Sequence, residues 1–392
     1  MIEKRTICIT GARTALNNGT LSIIASGMEE INRLSEIPIH FFILSPNKNI
    51  DEPIYRKTIN NIDFEVIGSN FHPNIPYSLI LIYSILLSIP CYLKSDVIVD
   101  MRGEGYVNDS VAIVQSFQML LANILFTPFI IYAQSIGPFK TGLNRFLARM
   151  VFSRAKLITL REPVSMDYYN QLHLTKKAVL CADQAIMLTP VSPIEANTIL
   201  KNVFGYQPKK IIGISPIPNE RITKIFCELI DYVSEKYCID IIIIPHAIDE
   251  HFGGCKGNDD MQAAISIFSQ IKNTDNVRII EEKYIGRQLK GLMKCCNVYI
   301  TARWHAGIAS TSALTPSIII SSAHKSAAIS MIDMDEFLLN PQKITSQELI
   351  EKFDKIWDNN QQVREKLDDE IKKILPLAAL SAQMTFDSIY LK

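Results

Sequence analysis

Short β-branched and apolar runs recur along the chain, and most of them stop at a polar or glycine-containing cluster. In the first half these runs are Arg5–Thr10, Ile39–Leu44, Asp63–Ile67, Asp96–Asp100, Pro128–Ala133 and Leu157–Leu160. Segments with helical spacing lie between them, at Leu21–Leu34, Val111–Ile124, Leu143–Ser153 and Val164–Gln171. Buried strands of a parallel sheet read as continuous apolar runs, so the alternation predicts a parallel sheet covered by helices. The pattern restarts after Pro190–Gln207, which reads as a linker with a short helix. Strands are predicted at Lys209–Pro216, Cys238–Ile244, Val277–Ile280, Asn297–Ile300 and Ser317–Ser321. Helices are predicted at Arg221–Lys236, Asp259–Lys272, Ile285–Cys295 and Ile308–Leu314. The tail reads as three charged helices, Ser346–Trp357, Asn360–Lys373 and Ala378–Ile389.

The fold class this predicts is α/β, with two doubly wound, Rossmann-like parallel-sheet domains facing across a cleft (GT-B-like) and C-terminal helices. A chain of 392 residues is too long for one ordinary core and suits two domains. The expected division is an N-terminal α/β domain over 1–190, a second over 205–345, and helices over 346–392 that pack back on the first domain.

Composition narrows the function classes. Lysine plus arginine and aspartate plus glutamate each number 40, so the formal net charge is 0 and bulk charge gives no reason to expect nucleic acid. The eight cysteines are scattered without a CxxC, which predicts a reducing compartment and no structural zinc. Met1–Arg5 leads into only a short apolar run, so no signal peptide is expected. Ile75–Pro90 is apolar but shorter than the roughly 20 residues of a membrane span. A buried helix is the first reading of it and a helix touching a membrane surface the second. A cytoplasmic protein follows, with the inner face of the membrane as the place for any peripheral contact.

The strand ends carry the candidate chemistry. Arg303 and His305 follow the strand Asn297–Ile300, and Lys325 follows Ser317–Ser321. Taken singly they read as a surface arginine, a satisfied core histidine and a solvated lysine. Strand–helix–strand topology instead brings all three to one rim beside a helix start, an arrangement that favours a phosphate or carboxylate. In the first half, strand ends carry Gly11, Arg102-Gly103, Gln134-Ser135 and Arg161. The loop around Gly11 is a generic anion cradle and not a Walker motif, because no Gly-Lys-Ser/Thr follows.

The ordered set of Gly11 with Asn17-Asn18-Gly19, Gln134-Ser135-Ile136-Gly137-Pro138, Arg161-Glu162-Pro163, Asp183-Gln184-Ala185, Arg303-Trp304-His305-Ala306-Gly307 and Lys325 resembles the polysaccharide pyruvyl transferase family over about residues 5–330. The resemblance implies transfer of pyruvyl from phosphoenolpyruvate, the donor substrate, to a sugar of a cell-surface glycan, with release of phosphate and no cofactor. It also implies that Arg161, His305 and Lys325 hold phosphoenolpyruvate and that Arg303 matches a basic position of the family motif. Two departures stand in the first domain, where the acceptor sugar is expected. Thr20 replaces an acidic residue, and Met101-Arg102-Gly103-Glu104-Gly105 replaces a run of glycines.

For that reaction His305 is the expected general acid or phosphate donor, since imidazole titrates near neutrality. Glu104 and Asp183 are candidate bases from their location at strand ends, and a capping or solvated carboxylate is the competing reading of each. His246 lies on the rim of the second domain and could contact phosphate. Gly11, Asn17, Asn18, Arg102, Gln134 and Ser135 are expected on the acceptor side, where the partner would be a sugar or lipid-linked glycan. No metal is expected, because no His/Cys cluster has ligand spacing. Two alternatives remain open. One is a nucleotide-sugar-dependent glycosyltransferase with Asp333 or Glu336 on a ribose. The other is a non-catalytic, glycan- or anion-binding family member.

Overall fold

A computed structural model of the chain describes residues 4–12, 14–68, 77–237, 239–247, 259–321 and 329–390. The chain divides into two compact units. One comprises Met1–Ala15, Thr20–Leu188 and Leu375–Lys392, and the other Leu16–Gly19 and Thr189–Ile374.

In the first unit strands alternate with helices: β1 (Arg5–Thr10), α1 (Asn18–Leu34), β2 (Ile39–Ser45), α2 (Lys48–Thr58), β3 (Asp63–Gly68), α3 (Tyr77–Lys94) and β4 (Val97–Asp100). Then come α4 (Asp109–Ile124), β5 (Phe129–Gln134), α5 (Gly142–Arg154), β6 (Leu157–Leu160), α6 (Pro163–Asn170) and β7 (Val179–Leu180). All seven strands are parallel, in the order β3-β2-β1-β4-β5-β6-β7. The order reverses between β1 and β4, the switch point at which such sheets open a crevice. β4 and β5 are buried throughout, as strands covered by helices on both faces must be.

The second unit repeats the plan. It begins with α7 (Pro193–Phe204), β8 (Ile211–Ser215), α8 (Glu220–Tyr237), β9 (Asp240–Ile243), α9 (Asp260–Phe268) and β10 (Val277–Ile279). It continues with α10 (Gly286–Cys295), β11 (Val298–Thr301), α11 (Trp304–Ser312), β12 (Ser317–Ile320) and β13 (Leu338–Leu339). This sheet is also parallel, ordered β10-β9-β8-β11-β12-β13, with its switch point between β8 and β11. Two helices follow, α12 (Ser346–Asp358) and α13 (Asn360–Tyr390).

Several elements differ from the sequence expectation. Asn47 caps the unforeseen helix α2, and Pro53 inside it hid the signal. The expected linker over Pro190–Gln207 contains α7, a full helix that Ser192 caps and Gly205 ends in the left-handed conformation. α11 begins four residues earlier than expected, which places His305 in its first turn. The tail is two helices, because α13 runs unbroken through Pro376. A proline inside a helix costs about 3 kcal/mol. Here buried Leu367, Ile371, Ile374, Ala378 and Ala382 continue one apolar stripe across it. α12 lies in the second unit, where Phe353 and Trp357 pack on Tyr237 and Tyr232 donates to Asp354. α13 groups with the second unit up to Ile374 and with the first from Leu375. Among the described residues, no helix is long and apolar enough to cross a membrane.

Candidate functional site

The second unit gathers its polar groups at the switch-point rim. β11 ends at Thr301, whose Oγ1 accepts the Arg303 N–H at 2.9 Å and turns the chain into α11. The Arg303 side chain is fixed by Asp260, the first residue of α9. Arg303 Nε lies 2.8 and 2.9 Å from the two carboxylate oxygens, and Nη2 also donates to Oδ1. Asp260 is fully buried, and its Oδ2 also accepts the N–H groups of His246 and Ala247 at 3.1 and 2.8 Å. One carboxylate thus ties the loop after β9 to the loop after β11. This tie is the functional feature that sequence reasoning missed, since Asp260 and Arg303 stand far apart in the chain.

His246 is buried beside His305 and Arg303. Burial first, and these two neighbours second, push its imidazole down to about 3, so it is neutral at physiological pH. The segment Leu16–Gly19 belongs to this unit: Asn17 bridges Ala247, and Asn18 Nδ2 donates to the His246 carbonyl at 2.9 Å. The structure therefore puts Asn17 and Asn18 with the second-unit histidines and not with the first-domain acceptor residues. A Cβ at Gly19 would stand 2.3 Å from His305 Nδ1, so only glycine lets this segment lie against the imidazole. Lys325 lies outside the described residues. Asp333 and Glu336, the ribose candidates of the glycosyltransferase reading, form surface ion pairs with Lys366 and Lys355.

The first unit centres on Arg161, just after β6 and 2% exposed. Nη1 donates to Asp183 at 2.7 Å and Nε to Ser135 Oγ at 2.7 Å. Glu162 lies 3.4 Å from the guanidinium and Glu104 3.6 Å. Three carboxylates therefore surround one buried cation. The remaining polar groups hold the strand ends in register. Gln134 Nε2 donates to the Asp100 carbonyl, Gln134 Oε1 accepts the Gly105 N–H, and the Ser135 N–H reaches the Gly103 carbonyl, at 2.7–3.0 Å. Asp183 Oδ1 caps the Ala185 N–H at 2.9 Å, so both of its oxygens are engaged. The Glu104 side chain is 28% exposed against 1% for Asp183.

Asp100 was visible in the sequence only as a strand end, and no sequence signal marks it as buried. It ends β4 at the switch point, is fully buried, and accepts the Arg102 N–H at 3.2 Å through Oδ1. Its Oδ2 has no hydrogen-bond partner among the described residues. Burial pushes its carboxyl up to about 7, only partly offset by Arg102. Gly11 covers it with φ 81°, where a Cβ would meet Asp100 Oδ1 at 2.7 Å.

Comparison with known proteins agrees with this architecture. Over its full length the chain is similar to UDP-GlcNAc 2-epimerase from Neisseria meningitidis (TM-score 0.65, 14% identity, 100% of each chain). It is likewise similar to a glycosyltransferase from Rickettsia africae (TM-score 0.62, 10% identity, 100% of each chain). At these identities the likeness establishes the GT-B-like fold of paired α/β domains. In sequence the chain is 22% identical over 307 residues to the amylovoran biosynthesis protein AmsJ of Erwinia amylovora, covering 72% of each. The family profile described as polysaccharide pyruvyl transferase matches residues 34–324, well over half of the chain. The chain belongs to the polysaccharide pyruvyl transferase family.

Proposed function

We propose that this protein transfers the pyruvyl group of phosphoenolpyruvate to two hydroxyls of a sugar in a cell-surface polysaccharide or its precursor, forming a ketal and releasing phosphate. The observation that carries the reading is the switch-point cluster of Arg303, His246 and His305 at the start of α11. A helix start, a fixed guanidinium and two imidazoles suit an anion with both a carboxylate and a phosphate.

In this reading His305 delivers a proton to the methylene carbon. The C2 centre then carries oxocarbenium character and takes the first sugar hydroxyl. The C2–O bond to phosphate breaks, phosphate leaves with the electron pair, and the second hydroxyl closes the ketal. One hydroxyl proton ends on the new methyl group and the other on phosphate. Glu104 is the better base of the two candidates, because Asp183 already accepts from Arg161 and Ala185. Arg161 acts by positioning Glu104 and the Gln134–Ser135 turn. Lys325 remains a donor-side candidate through the family resemblance. A polysaccharide or lipid-linked precursor is the acceptor, and the donor serves as substrate with no cofactor.

The test is thermal stability of the full chain with phosphoenolpyruvate, inorganic phosphate, UDP and GDP, repeated with His305→Ala and His246→Ala. A ligand at a hundred times its dissociation constant stabilises by about 2.7 kcal/mol. The expected result is stabilisation by phosphoenolpyruvate that both substitutions remove. Stabilisation by UDP or GDP alone would overturn the reading in favour of a nucleotide-sugar glycosyltransferase.

A further inference from the structure

The two helical layers of the first unit differ in surface chemistry. Right-handed crossovers place α3, α4 and α5 on one face of the sheet and α1 and α2 on the other. α1 and α2 have an ordinary soluble surface, with the ion pairs Arg33–Glu30 and Arg56–Glu52. The other layer does not. Its inner side is one core, to which Tyr92, Met119, Ala122, Ala148, Val151 and Phe152 contribute. Thr127, just past α4, donates to the carbonyl of Tyr92 in α3 and joins their ends.

The outer side of that layer is apolar as well. α4 carries a single charged residue, Asp109, in 16 residues, and its outward positions include Phe117 and Ile124, 56% and 68% exposed. Leu93 on α3 and Leu143 and Phe146 on α5 are also exposed. Phe126, beyond the end of α4, is 94% exposed and sits in the left-handed region at φ 58°. Glycine or asparagine suits that conformation, whereas a phenylalanine there has neither a backbone preference nor a packing partner to account for it. Large apolar side chains exposed together on neighbouring helices mark an interaction surface.

Charge selects the occupant. α3, α4 and α5 together hold four basic residues, Lys94, Arg145, Arg149 and Arg154, and one acidic residue, Asp109, a net of +3 in a chain of net charge 0. Exposed Lys140 and Lys156 flank α5. We propose that the α3–α4–α5 face of the first unit docks on an anionic phospholipid bilayer, with Phe126, Ile124 and Phe117 entering the interface and the basic residues meeting the headgroups. Large exposed aromatics beside lysine and arginine, on helices too polar to span, are the composition of an interfacial surface. The inference goes beyond the donor chemistry and does not depend on it.

The test is co-sedimentation of the full chain with phosphatidylcholine vesicles, with and without phosphatidylglycerol at about one third of the lipid. Binding is expected to the anionic vesicles only, to weaken at high salt, and to fall at least about tenfold in a Phe117→Glu/Ile124→Glu/Phe126→Glu variant. Arg145→Glu/Lys156→Glu, which leaves the apolar residues in place, is expected to weaken it as well. Unchanged circular dichroism and an unchanged Tm would show that the variants are folded. Equal binding to neutral vesicles, or none to either, would overturn the proposal. So would a concentration-dependent dimer by sedimentation velocity that the apolar variant abolishes without vesicle binding by the parent, since the face would then pair two copies of this chain.

Discussion

The two units bring an arginine to the end of a parallel strand in opposite ways. Arg161 in the first unit is buried among Asp183, Glu162 and Glu104, and the cluster is negative in sum. Arg303 in the second unit is paired with Asp260, and His246 and His305 stand beside it. The local motif, a strand followed by an arginine and a helix start, is the same in both. The difference lies in the groups that surround the guanidinium: three carboxylates at Arg161, Asp260 and two imidazoles at Arg303 among the described residues. Arg161 is therefore held in an acidic surrounding, whereas Arg303 stands beside two imidazoles, and on the proposed reading the donor anion is better received at Arg303.

Removing each arginine should separate the two roles. Arg161→Ala leaves Asp183 and Glu162 buried without their cation and should cost about 3–5 kcal/mol of stability, read as a large drop in Tm. If Tm is instead unchanged while donor binding is lost, Arg161 is a ligand and the comparison fails. Arg303→Ala leaves Asp260 buried and unpaired and should cost about 3 kcal/mol, somewhat less than Arg161 because Arg303 is partly exposed. It should also weaken phosphoenolpyruvate binding, which Arg161→Lys should not. His305→Ala should retain the parent Tm and lose at least about a hundredfold in turnover, the usual contribution of a general acid; single-turnover phosphate release measures it.

The pH dependence of stability sharpens the comparison because the two switch points have opposite signs. Asp100 has a folded pKa raised to about 7. Its contribution is fully present below the unfolded carboxylate value near 3.9 and is lost as pH rises to 7. His246 has a folded pKa lowered to about 3. Its contribution is present above the unfolded imidazole value near 6.5 and is lost as pH falls toward 3. Asp100→Asn should flatten the loss of stability on the alkaline side, and His246→Gln the loss on the acid side, each by a few kcal/mol at most. Chemical denaturation at several pH values measures both slopes. The smallest effect concerns the ligand. An anion bound beside His246 raises its basicity, so phosphoenolpyruvate binding should take up part of a proton, seen as a buffer-dependent binding enthalpy.

Much of this fold was legible because buried parallel strands must be apolar on both faces. Ile130–Tyr132 and Ile241–Ile243 announce themselves for that reason. The rim residues were legible too, since strand ends in α/β sheets collect polar groups and Arg303 and His305 follow a strand directly. What escaped was of another kind. α2 and the continuous α13 contain prolines, whose local penalty is outweighed by packing. Asp260 and Asp100 looked like ordinary helix-start and strand-end carboxylates, because burial and long-range pairing leave no local trace.

Local chemistry in the chain determined the alternation of strands and helices, the parallel sheets, the polar strand ends and the family motif. It could do so because propensity, hydrophobic period and spacing are properties of neighbouring residues. Tertiary structure alone decided which groups surround each cation. The carboxylates around Arg161 and Arg303 include groups far away in the chain, brought within 4 Å only when the sheets form. Electrostatic energy falls off with distance in space, not in sequence, and so the surroundings of each arginine were set only by the fold.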